Sequence, residues 1–381
     1  MDKIGIICEY NPFHNGHIYH LKKIKEMFPD SFITLVLSAS FTERGEFSFL
    51  TKWEKTKIAL QYNVDLVVEL PFLFATQSAD NFAYYAISIL ENLGMDYLIF
   101  GSETNDIDVL KNLVSTTLYN KDYDKLVKNY LDLGNSYPSS CLKALYNLTN
   151  INLTNSNDLL GLSYVKTIIL NNYHIKPLTI KRTNNYLDKE ITSHITSATS
   201  IREAYINNKD YQDTIPIETY NFLNLDKNYL NRYFFLLKYK LINEINDLNK
   251  YLDVKEGIDI RIKKVIYKVH TYQELIDNIK TKRFTYNKLN RMFLHIFFNV
   301  LKEDNNKPLN YIRILGFNQK GRLYLKTIKN DLTIPLITNY KDIDDYVLKF
   351  ELKVTLLYLQ IINKEELIKE ELKSIPIKVD Y

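Results

Sequence analysis

The sequence predicts an α/β protein: a doubly wound, mainly parallel sheet in the first half, followed by a second, mainly helical domain. Three observations predict it. Five short apolar runs in the first half are apolar on both faces, as strands covered on both sides of a parallel sheet are. Helix-like segments separate them, which makes βαβ units. After about residue 205 the runs give way to apolar positions at helical spacing. The expected division is therefore 1–205 and 206–381, and a chain of 381 residues has the length for two or three domains.

The expected strands are Lys3–Cys8, Phe32–Ser38, Asp65–Leu70, Asp96–Phe100 and Pro177–Lys181, rich in β-branched and aromatic residues. Helices are expected between them over 17–28, 51–63, 78–93, 106–133 and 157–171. In the second half, 228–250 and 340–372 read mainly as helix. Leu289, Met292, Phe293, Ile296, Phe297 and Val300 form one apolar stripe at i, i+3, i+4, i+7 spacing. Arg313–Lys326, with Gly316 and Gly321, reads as a turn-rich insertion between helices. Doubly wound sheets bind ligands where the strands' carboxyl ends meet the following loops. The polar residues at those ends are the candidates for function.

Composition narrows the class. With 46% hydrophobic and 25% charged residues the chain buries a real core, which excludes a disordered tail, a collagen-like repeat or a small disulfide scaffold. No run approaches the ~18 apolar residues of a membrane span. The opening apolar run is too short for a secretory signal, so a cytoplasmic location is expected. Cys8 and Cys141 suggest neither a disulfide framework nor a metal site. The net charge of +4 is unevenly spread: residues 1–200 sum to −3 and 201–381 to +7. Residues 261–330 carry 16 Lys/Arg against four Asp/Glu, so the second half is expected to hold a polyanion.

The strongest motif follows the first strand: Glu9-Tyr10-Asn11-Pro12-Phe13-His14-Asn15-Gly16-His17. Asn11 and Pro12 break the strand, Gly16 admits close backbone approach, and a helix begins near His17. Its free N–H groups and positive dipole end face the same spot. Two imidazoles there suit donation to phosphate oxygens, on which charge builds during displacement at phosphorus. His14, His17 and His20 recur at i, i+3 and i+6, which does not put three zinc ligands on one helix face. A second motif, Ile195-Thr196-Ser197-Ala198-Thr199-Ser200-Ile201-Arg202, reads as a helix cap whose hydroxyls, N–H groups and arginine suit a polyphosphate. Neither a P-loop nor a GxGxxG fingerprint is present.

This HxGH after a first strand resembles the nucleotidyltransferase superfamily, and the second motif resembles its ISSTxIR signature. The resemblance narrows along the chain. EYNPFHNGH, RGE (44–46), KWEKTKIAL (52–60), VDLVVELPF (64–72), FGSE (100–103), NDLLGLSYVK (157–166), IKR (180–182), SATSIR (197–202) and LGFNQKGRLYLK (315–326) look like the bacterial tRNA(Met) cytidine acetate ligases. That resemblance implies a Rossmann-like nucleotidyltransferase domain which activates acetate with ATP as acetyl-adenylate, releasing diphosphate. The acetyl group then passes to N4 of the wobble cytidine (C34) of elongator tRNA(Met). It places ATP on the turn Ile7, Cys8, Glu9, Tyr10, Asn11, Pro12, Phe13, His14, Asn15, Gly16, His17, Ile18, Tyr19 and His20, and on Gly101, Asn157 and Arg182. His14 and His17 are the catalytic candidates, and Ser197, Thr199 and Arg202 the candidates for the departing diphosphate. Mg²⁺ is expected on the phosphates rather than in a protein cage. Lys263, Lys264, Lys268, Lys282, Arg283, Arg291 and Arg322 are candidates for tRNA phosphate contact.

Two departures stand out. Ser38-Ala39-Ser40 lacks an expected glycine, and Ser156-Asn157-Asp158 replaces a Pro-Asn-Asn pattern. Two other functions compete: an adenylyltransferase acting on a small phosphorylated substrate, and a non-catalytic nucleotide-sensing RNA-binding protein. The first shares HxGH but gives no reason for a basic second half.

Overall fold

In the computed structural model all residues are described except 154–155, 183–190, 192–193, 374 and 381, together with the side chain of Ser156. The five expected strands form: β1 (Lys3–Cys8), β2 (Phe32–Ser38), β3 (Leu66–Leu70), β4 (Tyr97–Ser102) and β5 (Lys176–Lys181). They pair in the order β5-β4-β1-β2-β3, all parallel. Every residue of β2 and β3 is buried, as expected of strands with helices on both faces. The chain winds from β1 outward to β3 and then returns to place β4 on the other side of β1. That reversal leaves a crevice at the carboxyl ends of β1 and β4, the position where doubly wound sheets bind ligands.

The second half departs from expectation. Arg313–Lys326 is no turn-rich insertion: β6 (Ile312–Phe317) runs antiparallel to β3, and the helix Gln319–Ile328 follows. β7 (Leu336–Ile337) and β8 (Ile377–Lys378) lie parallel to β6. The sheet thus draws on both sides of residue 205. The glycines misled the reading because they serve packing here. A Cβ on Gly321 would lie 2.2 Å from the Asp65 carbonyl oxygen. The helix cap Asn318 also bonds Asp65, through its own N–H at 3.1 Å and its side-chain amide at 2.7 Å. Likewise 106–133 is two helices, Ile107–Tyr119 and Tyr123–Asp132, and the helix Tyr137–Thr149 was not expected.

A fully buried charge cluster joins the halves. Lys52 donates to Glu69 at 2.7 Å and pairs with Glu371 at 2.8 Å, while Arg313 reaches Glu69 at 2.9 Å. Glu351 accepts from the Phe72 N–H and Glu371 from the Trp53 indole, both at 2.6 Å. Arg313 also stacks on the Tyr340 ring, 3.9 Å from its centroid. Such ions persist in the interior because each has an opposite charge and directed hydrogen bonds.

Gly321→Ala tests the seam between β3 and the helix Gln319–Ile328. The added methyl meets backbone rather than a yielding side chain, so unfolding in urea is expected to show a loss of about 1–3 kcal/mol.

Candidate active site

At the carboxyl end of β1 the chain turns through Tyr10 (φ 47°) and the cis Asn11–Pro12 bond into the helix Asn15–Met27. His14 is the N-cap. Its Nδ1 accepts the Gly16 N–H at 3.0 Å, and the Nδ1 of His17 accepts the His14 N–H at 3.1 Å. Two imidazoles thus form a reciprocal cap of the kind Ser and Glu usually make. Gly16 is required by this ring, since a Cβ there would lie 2.7 Å from His14 Cε1. The His14 ring takes the space a side chain would need there, and Gly16 itself is among the residues that line the cavity beside it.

The cap fixes the chemistry of both rings. With Nδ1 accepting, each ring carries its proton on Nε2, an assignment made from the hydrogen-bond network. Burial pushes the His14 imidazole down to about 3, helped by Arg182 and Arg202. Burial, then His14, Arg182 and His20, hold His17 well below the usual imidazole range. Both rings are neutral donors at physiological pH. His20, one turn on, is pushed down to about 4 by burial and by Arg182, and its Nε2 is buried with no hydrogen-bond partner among the described residues.

These rings border a cavity of about 720 Å³ at the sheet's carboxyl edge. Its lining joins Ile7, Cys8, Glu9, Tyr10 and Asn11 of the first turn to Gly101, Asn157, Arg182 and Arg202. Tyr19 and His20 line it too, whereas the Phe13 side chain is buried against Tyr10 and His17. Asn15 points away, donating to the His194 and Asp213 carbonyls at 3.0 and 2.8 Å. Cys8 is no thiolate nucleophile, because burial pushes its thiol up to about 12.

Strand ends and loops hold the remaining residues. The Arg182 side chain covers Gly101, where a Cβ would lie 3.1 Å from Arg182 Cγ. That arginine sits 3.8 Å from Glu103, whose other contacts include Asn157 Nδ2 at 2.5 Å. Asp158 has a positioning role. Its carboxylate accepts from Ser102, from the Glu103 and Thr104 N–H groups, and from the Thr104 hydroxyl, which shapes the turn after β4. Arg202 donates to the Asn11 carbonyl and to Glu46, both at 2.7 Å, and so ties the second motif to the first.

Other expected residues lie elsewhere. Ser197 caps the helix Ala198–Ile206 by accepting the Ser200 N–H at 3.1 Å, and neither it nor Thr199 is among the lining residues; Thr196 and Ala198 are. Arg291 lines the cavity and is engaged with Glu43 at 2.8 Å. Lys264, Lys268, Lys282 and Arg283 are exposed and Lys263 is half-buried. Arg322 is exposed on the helix that packs against Asp65, at the opposite edge of the sheet from the cavity.

Two contributions were missed from sequence. Lys55 is fully buried and donates to the carbonyls of Glu9, Ser38 and Ala39 at 3.0, 2.6 and 2.7 Å. It clamps the loop after β2 that lacks the expected glycine. Tyr137, Pro138 and Cys141 line the cavity from the unexpected helix, whose signal was Ser136 as cap with Pro138 in the first turn.

The HIGH Nucleotidyl Transferase family matches residues 1–374. The tRNA(Met) cytidine acetate ligase of Anoxybacillus flavithermus is 36% identical over 401 aligned residues, spanning 99% of this chain and 100% of that protein. The chain belongs to this family. The corresponding ligase of Caldicellulosiruptor saccharolyticus is 38% identical over 375 residues, spanning 95% of this chain and 92% of its own. Among solved structures, apo Thermotoga maritima TmcAL superposes with a TM-score of 0.90 at 29% identity, and TmcAL bound with alpha-thio ATP with 0.87, each covering 100% of both chains. Within the matched span lies the HxGH of this chain, His14–His17, held by its own reciprocal cap.

Nitrogen-15 NMR of labelled histidines tests the tautomers. His14 and His17 are expected as neutral Nε2–H rings that do not titrate between about pH 5 and 8. Because their folded pKa values lie below the ordinary 6.5, the unfolded chain binds more protons between those values. Stability, followed by denaturant titration, is accordingly expected to fall as pH drops below about 6.5.

Proposed function

We propose that this chain is an ATP-dependent tRNA-modifying ligase of the cytoplasm, which acetylates N4 of the wobble cytidine of elongator tRNA(Met). The observation that carries the reading is the pair of neutral Nε2–H donors beside the β1–β4 crevice. Support comes also from the acetate ligase names of the full-length relatives and from the alpha-thio ATP bound by the Thermotoga maritima protein. An acetate oxygen attacks the α-phosphorus of ATP in line. His14 and His17 donate to the phosphate oxygens, and their fixed N–H groups stabilise charge that grows in the transition state. Arg182 and Arg202 bring two guanidiniums to the same cavity for the triphosphate.

Mg²⁺ is assigned to the nucleotide's own oxygens. Among the described residues no group of three or more His, Cys, Asp or Glu is placed to hold an ion, and Mg²⁺ readily binds through substrate phosphates. Ser197 acts by capping the helix start and Thr199 by accepting from Arg202 at 3.3 Å, and the adjoining lining at Thr196 and Ala198 meets the diphosphate. The exposed Lys264, Lys268, Lys282 and Arg283 supply sequence-independent contacts to tRNA phosphates. Among the described residues no helix is long and apolar enough to cross a membrane.

Incubation with labelled acetate, ATP and total tRNA, followed by nucleoside analysis, is expected to yield N4-acetylcytidine in one tRNA. Acetate-dependent ATP–diphosphate exchange is expected to fall about 10²–10³-fold in His17→Ala, the scale for losing an oxyanion donor. Exchange that requires a phosphorylated small molecule instead of acetate would point to the competing adenylyltransferase. Replacing Lys264, Lys268 and Lys282 together with alanine is expected to weaken tRNA binding. It should also flatten the log K against log salt slope by about 0.7–0.9 per lost contact, measured by titration at several salt concentrations.

A further inference from the structure

The second step sets a chemical demand that the roles assigned so far do not meet. The lone pair of an exocyclic cytosine amine is delocalised into its ring, so the nitrogen becomes an effective nucleophile only as its proton departs. The leaving adenylate is already a stable anion and needs no proton. A base must therefore stand in the cavity, with an acceptor atom not already used by the protein.

Among the described residues few lining groups qualify. Glu43 is held by Arg291, Glu46 by Arg202, and Asp80 accepts from Ser163 and Lys166. His14 and His17 have Nδ1 filled and are donors at Nε2. The His20 Nε2 is shut away from any surface. Asp124 is exposed, next to Tyr123 in the lining.

Glu9 differs from all of these. It follows the last residue of β1 and lines the cavity. Its Oε1 accepts the Glu43 N–H at 2.6 Å, and its Oε2 has no hydrogen-bond partner among the described residues. Lys55, reaching in from the helix Lys52–Gln61, holds the Glu9 carbonyl at 3.0 Å and so fixes the backbone that carries the side chain.

We propose that Glu9 is the general base of acetyl transfer, a role that rests on the ligase reading and concerns its second step. As the N4–C bond forms, the N4 proton passes to Glu9 Oε2 and onward to solvent. The bond between the acyl carbon and the adenylate oxygen breaks with its electron pair on AMP. The groups facing Glu9 are Glu43, Arg44 and Glu46 from the loop after β2, Tyr164 from the helix Ser156–Leu170, and Lys55. Burial, with Glu43 and Glu46 adding to it, pushes the carboxyl up to about 7 against the pull of the Glu43 N–H and Arg44. A base with that value is ionised and still accepting near neutral pH.

Single-turnover mixing of preformed acetyl-adenylate with tRNA isolates the step, and acetate-dependent exchange reports the first step separately. Glu9→Gln keeps an oxygen for the Glu43 N–H but takes no proton. Transfer is expected to fall about 10²–10³-fold while exchange falls less than about tenfold, with Glu9→Asp between. In the wild-type enzyme, transfer is expected to lose activity as pH falls below about 7, while exchange holds between about pH 6 and 8. Transfer by Glu9→Gln within about threefold of wild type overturns the proposal. So does an equal loss of exchange and transfer, as a ligand of the substrate-borne metal would give, or a wild-type transfer rate flat across pH 7. Absence of acetate-dependent exchange in the wild-type enzyme overturns the ligase reading itself.

Discussion

Most of the site depends on one constraint: the first turn of the helix after β1 is capped by imidazole Nδ1 atoms rather than by hydroxyl or carboxylate oxygens. Helix N-termini leave N–H groups without partners, and a side chain that accepts them becomes part of the backbone's geometry. When that side chain is histidine, the cap also decides where the ring proton sits. His14 and His17 therefore present Nε2–H groups without being charged, and burial keeps them so. A neutral donor that does not switch near neutral pH suits a reaction whose phosphate charge comes from the substrate.

The same turn is locked from three directions. Asn11 pairs with Phe47 and Phe49 of the loop after β2, Arg202 holds its carbonyl, and Lys55 gathers the Glu9, Ser38 and Ala39 carbonyls. That loop is in turn fixed to the helix Tyr286–Phe298 through Arg291 and Glu43. Farther from the cavity, the buried cluster of Lys52, Glu69, Arg313 and Glu371 joins β3, β6 and the carboxyl-terminal helices. The crevice and the second half are thus packed as one sheet-centred structure, which holds the proposed tRNA surface and the proposed nucleotide cavity in a fixed relation.

Much of this was legible in the sequence, for physical reasons. Doubly buried parallel strands have a short apolar signature with few alternatives, and β1 to β5 carried it. HxGH between a strand and a helix has a meaning that a lone motif lacks. The misses share a cause, which is that long-range contacts reverse a residue's local meaning. Gly316 and Gly321 read as turns because nothing nearby shows that Asp65 will press against one of them. Arg313 counted toward a basic surface, yet it is buried against Glu69, which lies 244 residues earlier. Nothing local sets Lys55 apart on its helix, and its three carbonyl partners exist only once the strands are side by side. Within the second motif the Ser197 hydroxyl caps the helix start, while the Thr199 hydroxyl accepts from Arg202, which lines the cavity.

The most direct test of the central claim is a crystal structure with a non-hydrolysable ATP analogue. The account predicts the triphosphate in the β1–β4 crevice, with the Nε2 atoms of His14 and His17 about 2.7–3.2 Å from its oxygens. A triphosphate bound at another part of the cavity, with both Nε2 atoms making no contact to it, would contradict it.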